Sequence, residues 1–177
     1  MKIKIAVIGM IFTVVVPLTY ADSFEQYVVP VYSGPSAKPD FQSLPGSRDY
    51  RTRIRNGIKQ GVNFAGHYAI VMFGCGMGCQ MGFLADVRSG KIFGLPFGGE
   101  EQEYLLTDFR PYSKLIKVGW TEEGYFDKDM NFVRYDRPIC VSQELVLKGT
   151  AFQVLRTAKT AGDCDRFGVT CCPETDN

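Results

Sequence analysis

A short apolar run constrains the fold of this chain more than any other feature. Residues 68–73 (Tyr-Ala-Ile-Val-Met-Phe) are continuously apolar, and they lie between a Gly-His pair and Gly74. A run that is bounded by glycines and too short for a helix predicts a buried strand. Residues 80–87 predict the returning strand. We therefore expect a hairpin that carries residues 74–79 at its tip.

The tip of this hairpin, the Gly-Cys loop at residues 74–79, has the sequence Gly-Cys-Gly-Met-Gly-Cys. Glycine adopts positive φ without steric cost, so such a loop can turn sharply or let another chain approach closely. It is not a phosphate loop, because it lacks Gly-Lys-Ser/Thr and a following helical pattern. We predict that it forms a recognition site with residues near it. The candidate binding residues are His67, Tyr68, Gly74, Gly76, Met77, Gln80, Trp120 and Tyr125.

The order of motifs around this hairpin is also informative. Asn-Phe-Ala-Gly-His-Tyr at residues 63–68 is followed by the apolar run and by Gly-Cys-Gly-x-x-Cys-Gln at residues 74–80. This order resembles a family of small, exported bacterial proteins of uncharacterised activity. Asp-x-x-Ser-Gly-Lys at residues 86–91 and Phe-Arg-Pro-x-Ser-Lys at residues 109–114 resemble further parts of the same pattern. The resemblance implies export and a β-rich domain, and it transfers no catalytic residue.

Residues 1–21 have the pattern of a secretory signal peptide. Lys2 and Lys4 precede an apolar run at residues 5–16, and the small residues Thr19 and Ala21 follow it. The run is short for a membrane span, so we predict cleavage after Ala21 and a periplasmic or secreted protein without a membrane span. A retained anchor is the alternative interpretation.

Cleavage would leave one exported domain at residues 22–177. Removing 21 of the 177 residues leaves 156, which is enough for one core and short for two. The removed segment carries two lysines and no acidic residue, so the formal net charge changes from +1 to −1. This charge gives no reason to expect nucleic acid or an anionic membrane as a partner.

Export also changes what the six cysteines predict. An even number of cysteines in an oxidising compartment indicates disulfides, and six cysteines allow 15 pairings. Cys75 and Cys79 lie on one loop and can close a small ring. Cys140 is then expected to pair within a C-terminal group, where a bridge would fasten the tail. That group consists of Cys164, Cys171 and Cys172.

Residues 47–60 are the strongest helix candidate. Ser47 is a suitable N-cap and Gly61 a suitable end, although Gly57 weakens the prediction. An apolar face recurs at i, i+4 and i+8 (Tyr50, Ile54, Ile58). The remaining surface is basic, which is typical of a solvated face and, alternatively, of a patch for an acidic partner or an anionic glycan. Its residues are Arg48, Arg51, Arg53, Arg55 and Lys59.

The rest of the chain predicts short strands joined by turns. An edge strand is expected within residues 28–32, a hairpin at residues 125–135 and an irregular segment at residues 158–177. The other expected strands are residues 92–93, 104–109, 114–120, 139–147 and 151–157. This spacing predicts a mainly β (α+β) fold, an antiparallel meander or sandwich-like sheet with one N-terminal basic helix, stabilised by disulfides.

His67 is the only histidine, so any imidazole-based mechanism must use it. A strand rises about 3.3 Å per residue, which would separate His67 from Cys75 by roughly 20 Å, too far for a nucleophile pair. No Gly-x-Ser-x-Gly elbow is present. The favoured interpretation is a corner residue whose side chain hydrogen-bonds the backbone. Cys-x3-Cys with one histidine lacks the ligands of a structural zinc site, so neither a metal nor a cofactor is predicted.

These features favour an exported, non-enzymatic binding protein of the cell envelope. Trp120, Tyr125 and Phe126 flank a Glu-Glu-Gly turn and are expected to be exposed as a binding edge. The protein would recognise a protein or a glycan through the Gly-Cys loop, for example as an immunity protein or inhibitor acting on a secreted toxin or wall hydrolase. The alternatives are a small hydrolase or transferase that uses His67, and a structural envelope component.

Overall fold

A computed structural model describes residues 22–162 of the chain. Two 3₁₀ helices, at Phe24–Tyr27 and Pro45–Tyr50, precede the α-helix α1 at Arg51–Gln60. The strands are β1 (Tyr68–Gly74), β2 (Gln80–Asp86), β3 (Ile92–Gly94), β4 (Leu106–Phe109), β5 (Leu115–Phe126), β6 (Phe132–Lys148) and β7 (Ala151–Ala161). The expected signal peptide and Cys164, Cys171 and Cys172 lie outside the described residues.

The strands form two antiparallel meanders. One sheet has the order β1-β2-β3 and the other the order β4-β5-β6-β7. The predicted mainly β fold with one basic helix is therefore confirmed, as is the Cys75–Cys79 disulfide. None of the helices between residues 22 and 162 is long and apolar enough to cross a membrane.

The core explains why residues 68–73 are continuously apolar. Tyr68 and Ile70 belong to a cluster that also contains Val118 and Val141 of the second sheet, so it lies between the two sheets. Phe73, on the opposite face of β1, packs in another cluster with Ile54 and Ile58 of α1. The first sheet is thus covered on both faces, and β1 needs apolar residues at successive positions.

Helix α1 differs from its prediction at its start and agrees at its end. Ser47 is not the N-cap, because it lies buried in the preceding 3₁₀ turn and its Oγ donates to the Leu44 carbonyl at 2.6 Å. Gly61 ends the helix with φ 91°. Gly57 lets α1 lie close to β1, since a Cβ there would overlap the Val71 side chain.

Three strand predictions need correction. The edge strand at residues 28–32 is reduced to an isolated bridge between Val28 and Ser113, because prolines interrupt the ladder there. The Glu-Glu-Gly segment is not a turn but an irregularity inside β5, where the register shifts between Glu122 and Gly124. Strand β7 continues to Ala161, paired with Ile139, where an irregular segment was expected.

Candidate functional site

The Gly-Cys loop is a closed ring at the tip of the β1–β2 hairpin. The Cα atoms of Cys75 and Cys79 are 5.2 Å apart, and the Cys75 N–H donates to the Cys79 carbonyl at 3.1 Å. Gly78 has φ 71°, a conformation that favours glycine. The ring holds Met77 outward, with 94% of its surface exposed. The predicted loop residues Gly74, Gly76 and Met77 therefore form one rigid projection.

A second loop, residues 95–105, packs along this ring. The Tyr104 N–H donates to the Gly78 carbonyl at 2.9 Å, and the Gly99 N–H donates to the Gln80 carbonyl at 2.7 Å. Tyr104 has a positive φ of 55° and an exposed side chain. No local sequence pattern indicates this role for Tyr104, because the two loops meet only through tertiary contacts.

The same loop joins the Gly-Cys loop to the second sheet. The Thr121 N–H donates to the Glu103 carbonyl at 3.2 Å. Beyond Glu122 the β5–β6 hairpin continues with exposed aromatic side chains that pack on one another. Tyr125 lies 5.7 Å from Tyr135, and Phe126 lies 5.4 Å from Phe132, between ring centroids.

A cavity of about 670 Å³ lies between the residue 95–105 loop and this hairpin. We call its walls the acidic rim, defined by Glu100, Glu101, Glu103, Tyr125, Phe126 and Phe132. Phe126 is 63% exposed. Two neighbouring carboxylates are paired, Glu122 with Lys159 and Glu123 with Arg134, each at 2.8 Å. The three rim glutamates form no ion pair within residues 22–162, so the cavity carries unbalanced negative charge.

The predicted binding residues separate into two groups. Gly74, Gly76, Met77 and Gln80 lie in or beside the Gly-Cys loop, and Tyr125 lies in the acidic rim. His67 and Tyr68 lie at the opposite end of β1.

Two of these residues offer little surface. The expected exposure of Trp120 is wrong, because it is 6% exposed and packs in the core between the sheets. Tyr68 is also buried, and its hydroxyl donates to the Gly149 carbonyl at 3.4 Å.

His67 is partly buried at the corner before β1. Its ring lies 4.2 Å from that of Tyr68, between centroids. Burial lowers the pKa of His67 below its usual 6.5; Asp86 opposes this shift, and Arg88 and Lys114 add to it. The His67 carbonyl accepts a hydrogen bond from Val87, whereas the imidazole forms none with the described residues. The expected side-chain bond to the backbone is therefore not seen, and no acid or nucleophile within residues 22–162 is hydrogen-bonded to the ring.

A second cavity, of about 590 Å³, lies beside α1. We call it the basic cleft, defined by Lys38, Phe41, Arg55 and Lys59. The Arg55 guanidinium lies over the Phe41 ring, 5.6 Å from its centroid. Arg55 and Lys59 were singled out in the sequence, whereas Lys38 comes from the preceding extended segment and was missed.

Comparisons with known proteins do not assign either surface. No protein-family model, curated protein or solved structure matches the chain. Within the described part of the chain, no group of three or more His, Cys, Asp and Glu side chains is arranged to hold a metal ion.

Proposed function

We propose that this chain is an exported cell-envelope binding protein that docks a basic segment of a protein partner on the acidic rim and the adjoining Gly-Cys loop. One observation supports this most directly. The cavity of about 670 Å³ combines glutamates that have no ion pair in residues 22–162 with exposed aromatic rings. Exposed apolar surface of this kind, bordered by polar residues, is typical of interaction sites.

The chemistry of the walls favours lysine or arginine as the docked group. Carboxylates accept charge-assisted hydrogen bonds from both side chains, and aromatic faces attract the same cations. Tyr125 and Phe126 lie beside Glu100, Glu101 and Glu103 in one cavity, so a single cationic side chain can contact both kinds of group. A neutral glycan would leave the three carboxylates without a counter-charge.

The Gly-Cys loop adds a preorganised contact. Its disulfide and the hydrogen bond from Tyr104 to Gly78 hold Met77 in place before binding, and preorganisation reduces the entropy lost on association. A rigid acidic surface of this size suits an immunity protein or inhibitor that covers the basic face of a secreted toxin or wall hydrolase. The Cys75–Cys79 disulfide is compatible with an oxidising compartment, as predicted from residues 1–21.

The other two hypotheses have less support. A hydrolase or transferase using His67 would need a partner group at the imidazole, and the described residues supply no hydrogen bond to it. A purely structural role gives no reason for unpaired glutamates around exposed rings.

Binding of a short fluorescent Lys/Arg peptide tests the proposal, with an Asp/Glu peptide of equal length as the control probe. Changing Glu100, Glu101 and Glu103 together to Gln is expected to weaken binding of the basic peptide about tenfold, since each exposed charge contributes up to about 1 kcal/mol. The matched control changes Lys38, Arg55 and Lys59 together to Gln and should leave the affinity unchanged. Equal binding of both peptides, or no effect of the rim change, would contradict the proposal.

The natural partner is found by placing a photo-crosslinking residue at Met77 in the exporting cell. The crosslinked protein is then purified and its affinity measured against the same two triple variants. We expect a protein with a basic surface whose affinity falls with the rim variant alone. Crosslinking to a glycan, or to a second copy of this chain, would contradict the proposal of a basic protein partner.

A further inference from the structure

A buried ion pair lies on the face of the second sheet that is turned away from the first. Lys117 of β5 and Glu144 of β6 are directly opposed in the register, and Lys117 Nζ lies 3.0 Å from Glu144 Oε1. The two residues are 8% and 6% exposed. A buried carboxylate is costly unless both of its oxygens have partners, so the second oxygen of Glu144 also needs a donor.

One such donor is the first described residue. The Asp22 nitrogen lies 3.2 Å from Glu144 Oε2, and Arg156 Nε lies at 4.0 Å from the same oxygen. Asp22 is also the residue that the sequence places directly after the predicted cleavage site. The backbone nitrogen at the expected cleavage site is therefore hydrogen-bonded to the buried ion pair.

Several contacts hold Asp22 in this position. The Tyr27 hydroxyl donates to Asp22 Oδ1 at 3.2 Å. Ser113 Oγ donates to the Phe24 carbonyl at 2.8 Å, and the Lys114 N–H donates to the Tyr27 carbonyl at 3.0 Å. These hydrogen bonds hold the 3₁₀ turn at Phe24–Tyr27 against the start of β5, and Asp22, two residues before the turn, lies against Glu144.

We propose that the chain is cut between Ala21 and Asp22 and that Glu144 binds the α-ammonium group which the cut creates. A signal peptidase would hydrolyse this amide with water. The hydroxyl goes to the Ala21 carbonyl carbon and the proton to the Asp22 nitrogen, which takes a second proton from solvent. The neutral N–H donor at Asp22 becomes a cation, so its hydrogen bond to the Glu144 carboxylate then carries a charge on the donor as well as on the acceptor.

The charges around the nitrogen fit this assignment. Lys117 and Arg156 lie near the Glu144 carboxylate, and the Asp22 carboxylate accepts a hydrogen bond from the Tyr27 hydroxyl. After the cut, the carboxylates of Glu144 and Asp22 offset Lys117 and the new ammonium, and Arg156 is the most exposed cation of the group. A chain that keeps residues 1–21 lacks this charge, so the domain is less stable before the cut than after it.

Two forms of the protein test the proposal, one beginning at Asp22 and one with a single glycine added before Asp22. The added residue leaves a neutral amide at Asp22 and moves the amine away from Glu144. We expect the form with a free Asp22 amine to melt about 3 °C or more above the extended form. The difference should vanish in Glu144→Gln and persist in the control Glu123→Gln, which alters a partly exposed carboxylate of the same sheet.

Two measurements that leave Glu144 in place keep the proposal testable if Glu144→Gln fails to fold. Mass spectrometry of the exported protein should give Asp22 as the first residue. The Asp22 amine should react more slowly with an acylating reagent than the amine of the extended form, because it is held as an ammonium ion against Glu144. Equal melting temperatures, a different first residue or equal reactivity would each overturn the proposal.

Discussion

The acidic rim and the basic cleft are alike in size and opposite in charge. Their cavities measure about 670 Å³ and about 590 Å³. Each borders three charged side chains that form no ion pair within residues 22–162: Glu100, Glu101 and Glu103 in the rim, and Lys38, Arg55 and Lys59 in the cleft. Charge alone therefore does not separate a binding site from an ordinary surface in this molecule.

The two regions differ in the exposure of their aromatic rings. In the basic cleft, Phe41 is only partly exposed, it packs against the core cluster beneath α1, and Arg55 lies over it. A long cationic side chain that covers a ring is common on a solvated helix face. In the acidic rim, Phe126 and Phe132 are 63% and 51% exposed and pack on each other. The comparison therefore supports the proposal of recognition at the rim, and it favours a mainly solvated surface at the cleft.

The largest expected difference between the two regions is in how much their side chains contribute to the free energy of unfolding. Ile54, beneath the basic cleft, is fully buried, so Ile54→Ala should lower the free energy of unfolding by about 2–5 kcal/mol. Phe126→Ala, in the acidic rim, should lower it by about 1 kcal/mol or less. Urea unfolding of the two variants measures both values. Similar losses in the two would show that the hairpin belongs to the core and is not a free binding edge.

Sequence patterns predicted the parts of this fold that are decided locally. The run at residues 68–73 was predicted to be a buried strand because it is continuously apolar, bounded by glycines and too short for a helix, and the structure shows that it is covered on both faces. Gly61 marked the helix end through its backbone conformation, φ 91°. Cys75 and Cys79 were close enough in the chain to suggest a ring.

The positions of Trp120, Tyr104, Lys38 and Asp22 were missed because they depend on long-range contacts. Trp120 stands beside Glu122 and Glu123 in the chain, which suggested an exposed turn, yet it pairs with Val141 across the sheet and is buried. Tyr104 and Lys38 reach their sites from connecting segments, whose positions no periodic pattern specifies. The contact between Asp22 and Glu144 spans 122 positions, and no local signal predicts it.

Removing the disulfide tests whether binding at the acidic rim requires a rigid Gly-Cys loop. Replacing Cys75 and Cys79 together with Ser should lower the free energy of unfolding by about 2 kcal/mol, as expected for a small closed loop. It should also weaken binding of the basic peptide, because Tyr104 loses its fixed partner at Gly78. Met77→Ala, at the most exposed position of the loop, is the matched control and should leave the unfolding free energy unchanged. Full affinity without the disulfide would place recognition in the hairpin alone.

The smallest expected effect concerns His67, which lies at the other end of β1 from the Gly-Cys loop. Burial lowers its pKa in the folded protein below the 6.5 of the free side chain, so the unfolded chain binds more protons as the pH falls through that range. The free energy of unfolding should therefore decrease as the pH falls from about 7.5 towards the lower pKa of His67 in the folded protein. His67→Gln removes this contribution, so its unfolding free energy should vary less with pH than that of the unaltered protein. Urea unfolding at about pH 7.5 and about pH 5.5 measures the two slopes.

The same variant also separates the binding and hydrolase hypotheses. Because His67 is remote from the Gly-Cys loop, His67→Gln should leave the affinity for the basic peptide unchanged. Equal pH slopes in both proteins would mean that the imidazole is solvated in the folded state and that its burial is not maintained in solution. A loss of peptide affinity would instead connect the His67 corner to recognition, and the division between the two ends of β1 would no longer hold.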